Sequence, residues 1–336
     1  MLRRRHLDGR MRVGILGAGW WADQHAQALA TLDGFTVTGV NSGSLETATA
    51  FAAQYGGRVH ADAGALLAAP DVDAVLITAP HEYHAPLALQ AIASGKPVLL
   101  EKPVATNNTD THAVLNAARD AGVTCLVGFT SHYFPGFSRA RELIDSGELG
   151  RPLSGQSVFQ KRWMEANRRD WHLDRGRGGG MLLTAGIHAL DRLMWLMDKP
   201  VQSVSAAMGT HMHDQQADDL SSIFLRFQGG GAGMVGSYGY AQGGPINATT
   251  ILCEGGSLRV TPDSLEIGQN DGWEAVSLTL PGNLTLAALA QEWVELRAWA
   301  ERGQLPRVTP EFAGSVMDVV FAAEESAVQE REVSLG

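Results

Sequence analysis

The chain has 336 residues, of which 45% are apolar, with a formal net charge of -10 and a pI near 5.5. That length suits two globular domains with full cores. The acidic balance, with no long basic run beyond the first residues, excludes nucleic acid and acidic membranes as partners, and no apolar run reaches membrane-spanning length.

The opening Met1-Leu2-Arg3-Arg4-Arg5-His6 is basic but lacks the apolar core of a secretory signal, so residues 1–10 are expected to form a disordered leader. From residue 11 to about 130 strand and helix patterns alternate. Strands are expected at 13–16, 35–40, 74–78, 98–100 and 123–127. Helices are expected at 21–32, 45–55, 84–94 and 109–121, with Asp33-Gly34, Gly56-Gly57, Gly95 and Gly122 as their stops. Repeated β-then-α order with short connections predicts a doubly wound parallel sheet, an α/β domain over 11–130 that holds ligands at the carboxyl ends of its strands. Beyond Phe129 the pattern changes. Helices at 135–146, 179–197, 286–301 and 312–329 accompany strand-like runs from Pro200 to about Leu280. That predicts a second, α+β domain over 131–336 with a largely antiparallel sheet. The two cysteines, Cys125 and Cys253, sit in strand-like runs with neither CxxC nor metal spacing, which predicts free thiols and a reducing cytoplasm.

Gly17-x-Gly19-x-x-Ala22 follows the first strand and opens the first helix, the context a dinucleotide-binding turn requires. Gly17 allows the tight turn, Gly19 lets backbone approach a pyrophosphate, and Ala22 permits close helix–strand packing. Trp20 and Trp21 fall inside this segment. The second strand ends 24 residues after Gly17 (41 − 17) at Asn41-Ser42, where an acid would hold the ribose of NAD. Neither acid nor arginine stands there, and Asn41 and Ser42 are the candidates for ribose hydroxyls or a 2′-phosphate. The loss of the acid leans the reading slightly toward NADP.

A lysine at a strand end beside a nicotinamide ring can polarise a carbonyl or hydroxyl oxygen, and Lys102 has that place, held extended by Pro103. Proton transfer from a hydroxyl is best served by a group with a pKa near working pH, which points to His188. Thr184 lies four residues before it (188 − 184), on the same face of a helix. The loop from Lys161 to Arg175 mixes aromatic and cationic residues. Trp171 and His172 are taken as substrate-side residues, and Arg169 after them. His211 and His213 read as a polar loop rather than a metal pair, and the Trp293–Trp299 stripe as core packing.

Three blocks in order resemble the Gfo/Idh/MocA family (glucose–fructose oxidoreductase, inositol dehydrogenase, MocA): Gly17 to Ala22 with His25; Thr78 to His84 followed by Gly95 to Pro103, with Glu101-Lys102-Pro103; and Gly178 to Asp191. The resemblance implies an N-terminal Rossmann domain, a C-terminal domain with a large open mixed sheet, and a homodimer or homotetramer assembled through that sheet. It implies that Lys102 touches nicotinamide ribose and substrate oxygen, that His188 is the acid/base, and that Pro80, His81 and His84 lie near the nicotinamide, with Glu101 grouped among the cofactor residues. Two departures stand out: Thr184 where the family usually has aspartate, and His81 where it often has asparagine. The function so implied is an NAD(P)-dependent oxidoreductase acting on CH–OH groups of a sugar, cyclitol or related polyol. The alternatives are a glycosidase using tightly bound NAD transiently and a non-catalytic nucleotide-binding sensor.

Overall fold

A computed structural model describes residues 9–335; most of the expected leader lies outside them. The first strands and helices follow the sequence pattern closely. They are β1 (Met11–Leu16), α1 (Trp20–Ala30), β2 (Phe35–Asn41), α2 (Leu45–Tyr55), β3 (Arg58–Val59), α3 (Ala63–Leu67), β4 (Ala74–Ile77), α4 (His84–Ala93), β5 (Val98–Glu101), α5 (Asn108–Ala121) and β6 (Cys125–Gly128). All six strands pair in parallel in the order β3-β2-β1-β4-β5-β6. That is the Rossmann order, with its switch point between β1 and β4. Every residue of β4, β5 and β6 is buried, as parallel strands covered on both faces must be. The short β3 and α3 were not expected, because two strand residues and five helical ones carry too little periodicity to register.

The rest of the chain supplies α6 (Pro135–Ser146), β7 (Pro152–Arg162), α7 (Ile187–Met197), β8 (Val201–Gly209), β9 (Leu220–Phe227), β10 (Ala232–Tyr240), β11 (Ile246–Cys253), β12 (Gly256–Val260), β13 (Leu265–Gln269), β14 (Gly272–Ala275), α8 (Leu284–Arg302), α9 (Pro310–Gln329) and β15 (Val333–Ser334). These nine strands form one sheet, β14-β13-β12-β11-β7-β10-β9-β8-β15. Only the β7–β10 pair is parallel. The sheet is therefore mixed and mainly antiparallel.

Two expectations need correction. The sequence placed no strand between residues 131 and 199, yet β7 sits at the middle of the second sheet. Its stretch Pro-Leu-Ser-Gly-Gln-Ser-Val-Phe-Gln-Lys-Arg is polar and only partly buried, so it lacks the alternation that marks a strand. The domain boundary is also not a single cut. The chain forms two compact units, one running to Thr130 and including Thr285–Ala313, the other comprising Ser131–Leu284 and the segment from Gly314. Most of α8 thus belongs with the Rossmann sheet: Ala28 of α1 packs on Leu289 and Ala290, with Trp21, Leu32 and Leu286 around them. Among the described residues no helix is long and apolar enough to cross a membrane.

Candidate active site

In the first unit the candidate residues gather at the carboxyl ends of β1, β2, β4 and β5. Gly17 has φ +97°, and a Cβ there would sit 2.5 Å from the Ala79 nitrogen, so the turn closes against β4 only with glycine. Gly17 N–H donates to the Asn41 carbonyl (2.9 Å), and the Thr78 hydroxyl donates to the Gly17 carbonyl (2.6 Å). Gly19 caps α1 without any side-chain acceptor, and its Cβ direction meets nothing within 4 Å. The positive end of the helix dipole therefore has clear space beside Gly19, as an anionic pyrophosphate requires. Ala22 is fully buried, as close helix packing demands. Trp20 is 52% exposed, whereas Trp21 is turned into the α1–α8 packing and is not placed to line a nucleotide.

At the ribose end Asn41 donates its side-chain amide to the His60 carbonyl (3.0 Å), which leaves Oδ1 as an acceptor. Ser42 Oγ accepts weakly from Ala18 N–H (3.4 Å). Around β4 and β5, His81 and His84 rings meet edge-on at 5.4 Å. His84 is buried, with Nδ1 2.6 Å from the Pro103 carbonyl and Nε2 2.8 Å from the Ala79 carbonyl. Burial pushes its pKa down, while the two carbonyl acceptors favour an N–H on each nitrogen, so His84 is a clamp between the β4 and β5 loops. Both its nitrogens are committed to backbone carbonyls. Pro80 is half-buried beside them. Lys102 is only 5% exposed, where a strand-end lysine is ordinarily solvated, and its peptide bond to Pro103 is cis. Glu101, grouped by sequence with the cofactor residues, instead points inward, and its Oε1 lies 3.0 Å from His25 Nε2.

In the second unit the expected unbroken helix 179–197 is interrupted. Leu182–Gly186 form a π-helical turn and regular α-helix begins at Ile187. Packing accounts for it: a Cβ on Gly186 would lie 2.0 Å from Ser237 Oγ, so the wider turn seats its backbone directly on β10. Thr184 is in the π turn and His188 in the first turn of α7; both are half-buried, and the Thr184 Oγ1 and His188 Nδ1 atoms are buried. The His188 ring lies 6.2 Å from Phe159 of β7. Trp171 and His172 stack at 3.6 Å on a short 3₁₀ turn. Their carbonyls back directly on the glycines that open the segment bearing Thr184 and His188: a Cβ on Gly179 would be 2.4 Å from His172 O, and Gly180 N–H donates to that oxygen (2.9 Å). The structure thus joins Trp171 and His172 to the segment bearing Thr184 and His188, while Arg169 remains exposed. Asp191, three residues on from His188, is wholly buried and accepts from His132 Nε2 (2.6 Å). His211 and His213 form a loop around Asp219, whose carboxylate accepts the backbone N–H groups of residues 211, 212 and 213 (2.8–2.9 Å).

Sequence reading missed Asp218. Its carbonyl and Oδ2 accept the N–H groups of Met181 (2.8 Å) and Leu182 (2.9 Å), holding the start of the π turn. Ser221 O–H also donates to Oδ2 (3.1 Å). The signal was available only as an acid pair, Asp218-Asp219, before a strand. Burial pushes the Asp218 carboxyl up to about 6 from an ordinary 3.8, overriding these donors. The folded chain then binds a proton that the unfolded chain releases between those values. Stability falls as pH rises through that window. Asp218→Asn is expected to remove that slope, worth on the order of 3 kcal/mol across it. Thermal melts between pH 4 and 7 check this; a wild-type slope unchanged in the variant refutes it.

A six-stranded sheet in this order with an open glycine turn at its switch point defines a dinucleotide-binding protein. The chain belongs to the GFO/IDH/MocA family: residues 11–129 match its oxidoreductase family model with an NAD-binding Rossmann fold, and residues 137–259 match a GFO/IDH/MocA C-terminal domain. It is similar to 1,5-anhydro-D-fructose reductase of Ensifer adhaerens, 32% identical over 65% of this chain and 66% of the relative. It is also similar to inositol 2-dehydrogenase 2 of Saccharopolyspora erythraea, 31% identical over 58% of this chain and 56% of the relative. The chain thus spans just under two thirds of the first of these relatives and little more than half of the second. A levoglucosan dehydrogenase structure with NADH and levoglucosan shares the fold, with a TM-score of 0.89 at 22% identity over 97% of this chain and 99% of the other.

Proposed function

We propose that the protein is an NAD-dependent dehydrogenase or reductase that moves a hydride to or from a hydroxyl-bearing carbon of a sugar, cyclitol or related polyol. The observation that carries this is a nearly buried lysine at a strand end in the same unit as an open phosphate turn. The sugar and cyclitol names among the relatives support the substrate class. Bound NAD would supply the hydride acceptor. The first-turn N–H groups of α1 would hold its pyrophosphate, and Asn41 Oδ1 would accept from a ribose hydroxyl. Asn41 commits one amide N–H to the His60 carbonyl and leaves Oδ1 as an acceptor, which suits a ribose hydroxyl and not a 2′-phosphate, so NAD is favoured over NADP. Lys102 would hold the substrate oxygen and stabilise its developing charge. His188 would take the hydroxyl proton at Nε2, since Nδ1 is buried. Trp171 offers an aromatic face to a sugar ring, with His172 beside it. Thr184, with a buried hydroxyl, supports this segment and brings no charge to the substrate.

A screen of polyols and keto-sugars with NAD(H) and NADP(H) tests the reading. Turnover on at least one sugar-like substrate is expected, with NADH bound more tightly than NADPH. Tight NADH binding without turnover on any substrate would leave a nucleotide-binding sensor. Assembly through the second sheet is proposed on its uncovered face, which exposes Met234 (55%), Leu252 (51%) and Ile246 (44%) opposite the face bearing α7. Sedimentation equilibrium showing a monomer at micromolar concentration would reject it.

A further inference from the structure

The first unit buries three titratable side chains from three elements: His25 of α1, Glu101 of β5 (the residue before Lys102) and Glu292 of α8. One polar atom of each lies within 4.8 Å of the others. Sequence reading had no role for Glu292, although it stands on the apolar face of α8 with Ala288, Leu289, Trp293 and Leu296. A charged residue at a core-facing position needs a reason.

The protonation pattern follows from the hydrogen bonds. Trp293 Nε1–H can only donate, and it donates to His25 Nδ1 (3.1 Å). His25 is therefore neutral on that side, its proton sits on Nε2, and it donates to Glu101 Oε1 (3.0 Å). Glu101, receiving this donor, is the carboxylate. Thr130 stands near the Glu292 carboxyl, yet neither Glu292 oxygen makes a hydrogen bond of normal geometry. Two ionised carboxylates this close in a dry interior repel strongly, and one retains a proton. Burial first, and then the Glu101 charge, push the Glu292 carboxyl well above the usual range, so the proton is on Glu292. The other groups facing the cluster are Glu295 on α8, His84 on α4, and Lys102 itself. Glu101 and Lys102 both act electrostatically on His84. A divalent metal is disfavoured, because Trp293 occupies one His25 nitrogen and the other carries hydrogen.

We propose that Glu292 is a positioning residue for Lys102: by staying protonated within 4.8 Å of Glu101 it leaves Glu101, held by His25, as the single carboxylate of the buried cluster, on the residue that precedes the lysine. The proposal rests on the role given to Lys102 above. Glutamine at 292 keeps a neutral polar head of similar shape beside Glu101, whereas leucine removes the polar group from the cluster. Glutamine at 101 keeps shape but deletes the charge.

The test combines kinetics with infrared difference spectroscopy of the resting, substrate-free protein. A carboxylic-acid C=O band is expected at neutral pH, absent in Glu292→Gln and retained in Glu101→Gln. In turnover, Glu292→Leu is expected to lower kcat about tenfold with little change in the KM for NAD, and Glu292→Gln to restore most of that loss. Glu101→Gln is expected to lower kcat about a hundredfold. A band that survives in Glu292→Gln, glutamine failing to rescue leucine, equal loss of NAD binding in all variants, or a stoichiometric divalent metal that Glu292→Gln releases would each overturn the proposal. The infrared result needs no substrate, so it stands even if the assigned reaction fails, and Lys102→Ala reports separately on that reaction.

Discussion

Lys102→Ala is expected to lower kcat by about three orders of magnitude while the Kd for NADH changes less than about threefold. A nearly buried cation cannot be replaced by solvent: alanine leaves a small void and no group to stabilise charge on the substrate oxygen. Lys102→Arg is expected to rescue little, because the planar guanidinium is larger and a packed site has no room for it. Stopped-flow or steady-state turnover, with NADH titrated by fluorescence, separates the two effects. Retention of more than a tenth of wild-type kcat in the alanine variant would remove Lys102 from the chemistry and, with it, the proposed reaction. His188→Ala is expected to act on the same step by about two orders of magnitude, partly recovered by added imidazole.

The second large effect is structural and falls on the turn that would hold the pyrophosphate. In Gly17→Ala the new Cβ would lie 2.5 Å from the Ala79 nitrogen on a backbone with φ +97°, and neither β4 nor the turn can yield cheaply. Moving the turn breaks the Gly17–Asn41 and Thr78–Gly17 hydrogen bonds together. We expect a loss of about 2–4 kcal/mol in stability and a loss of NAD binding. Gly19→Ala makes the contrast. Its Cβ meets nothing within 4 Å, so folding should be nearly unaffected, while the methyl group occupies space that a pyrophosphate would use. Chemical denaturation and NADH titration of the two variants side by side decide the matter. Equal destabilisation by both would show that the turn is held by something other than the close approach of β4.

These two glycines look alike in sequence, and their difference shows where reading by sequence stops. The spacing Gly17, Gly19, Ala22 after an apolar strand marked the turn, and the alternation of short apolar runs with helical ones marked five of the six parallel strands. Such signals are local: period, stop residue and turn chemistry are carried by neighbours in the chain. The same holds for Lys102-Pro103 at a strand end and for His188 on a helix. What a side chain faces is set by partners far away in sequence. Glu101 was grouped with the cofactor because it adjoins Lys102, but the strand turns it toward His25, 76 positions away. Trp21 was grouped with Trp20, yet α8 covers only one of the pair.

The amino-acid sequence alone determined the parallel dinucleotide fold, the position of the glycine turn and the family, because each is written in short-range periodicity or in contiguous motifs. Tertiary structure alone decided that β7 lies in the middle of the second sheet, that residues 285–313 belong with the first unit, that the segment bearing His188 starts as a π turn held by Asp218, and that Glu292 is buried beside Glu101. Those outcomes depend on burial and on hydrogen-bond partners brought together by packing, and a buried carboxyl has no ionisation state to read until its neighbours are known.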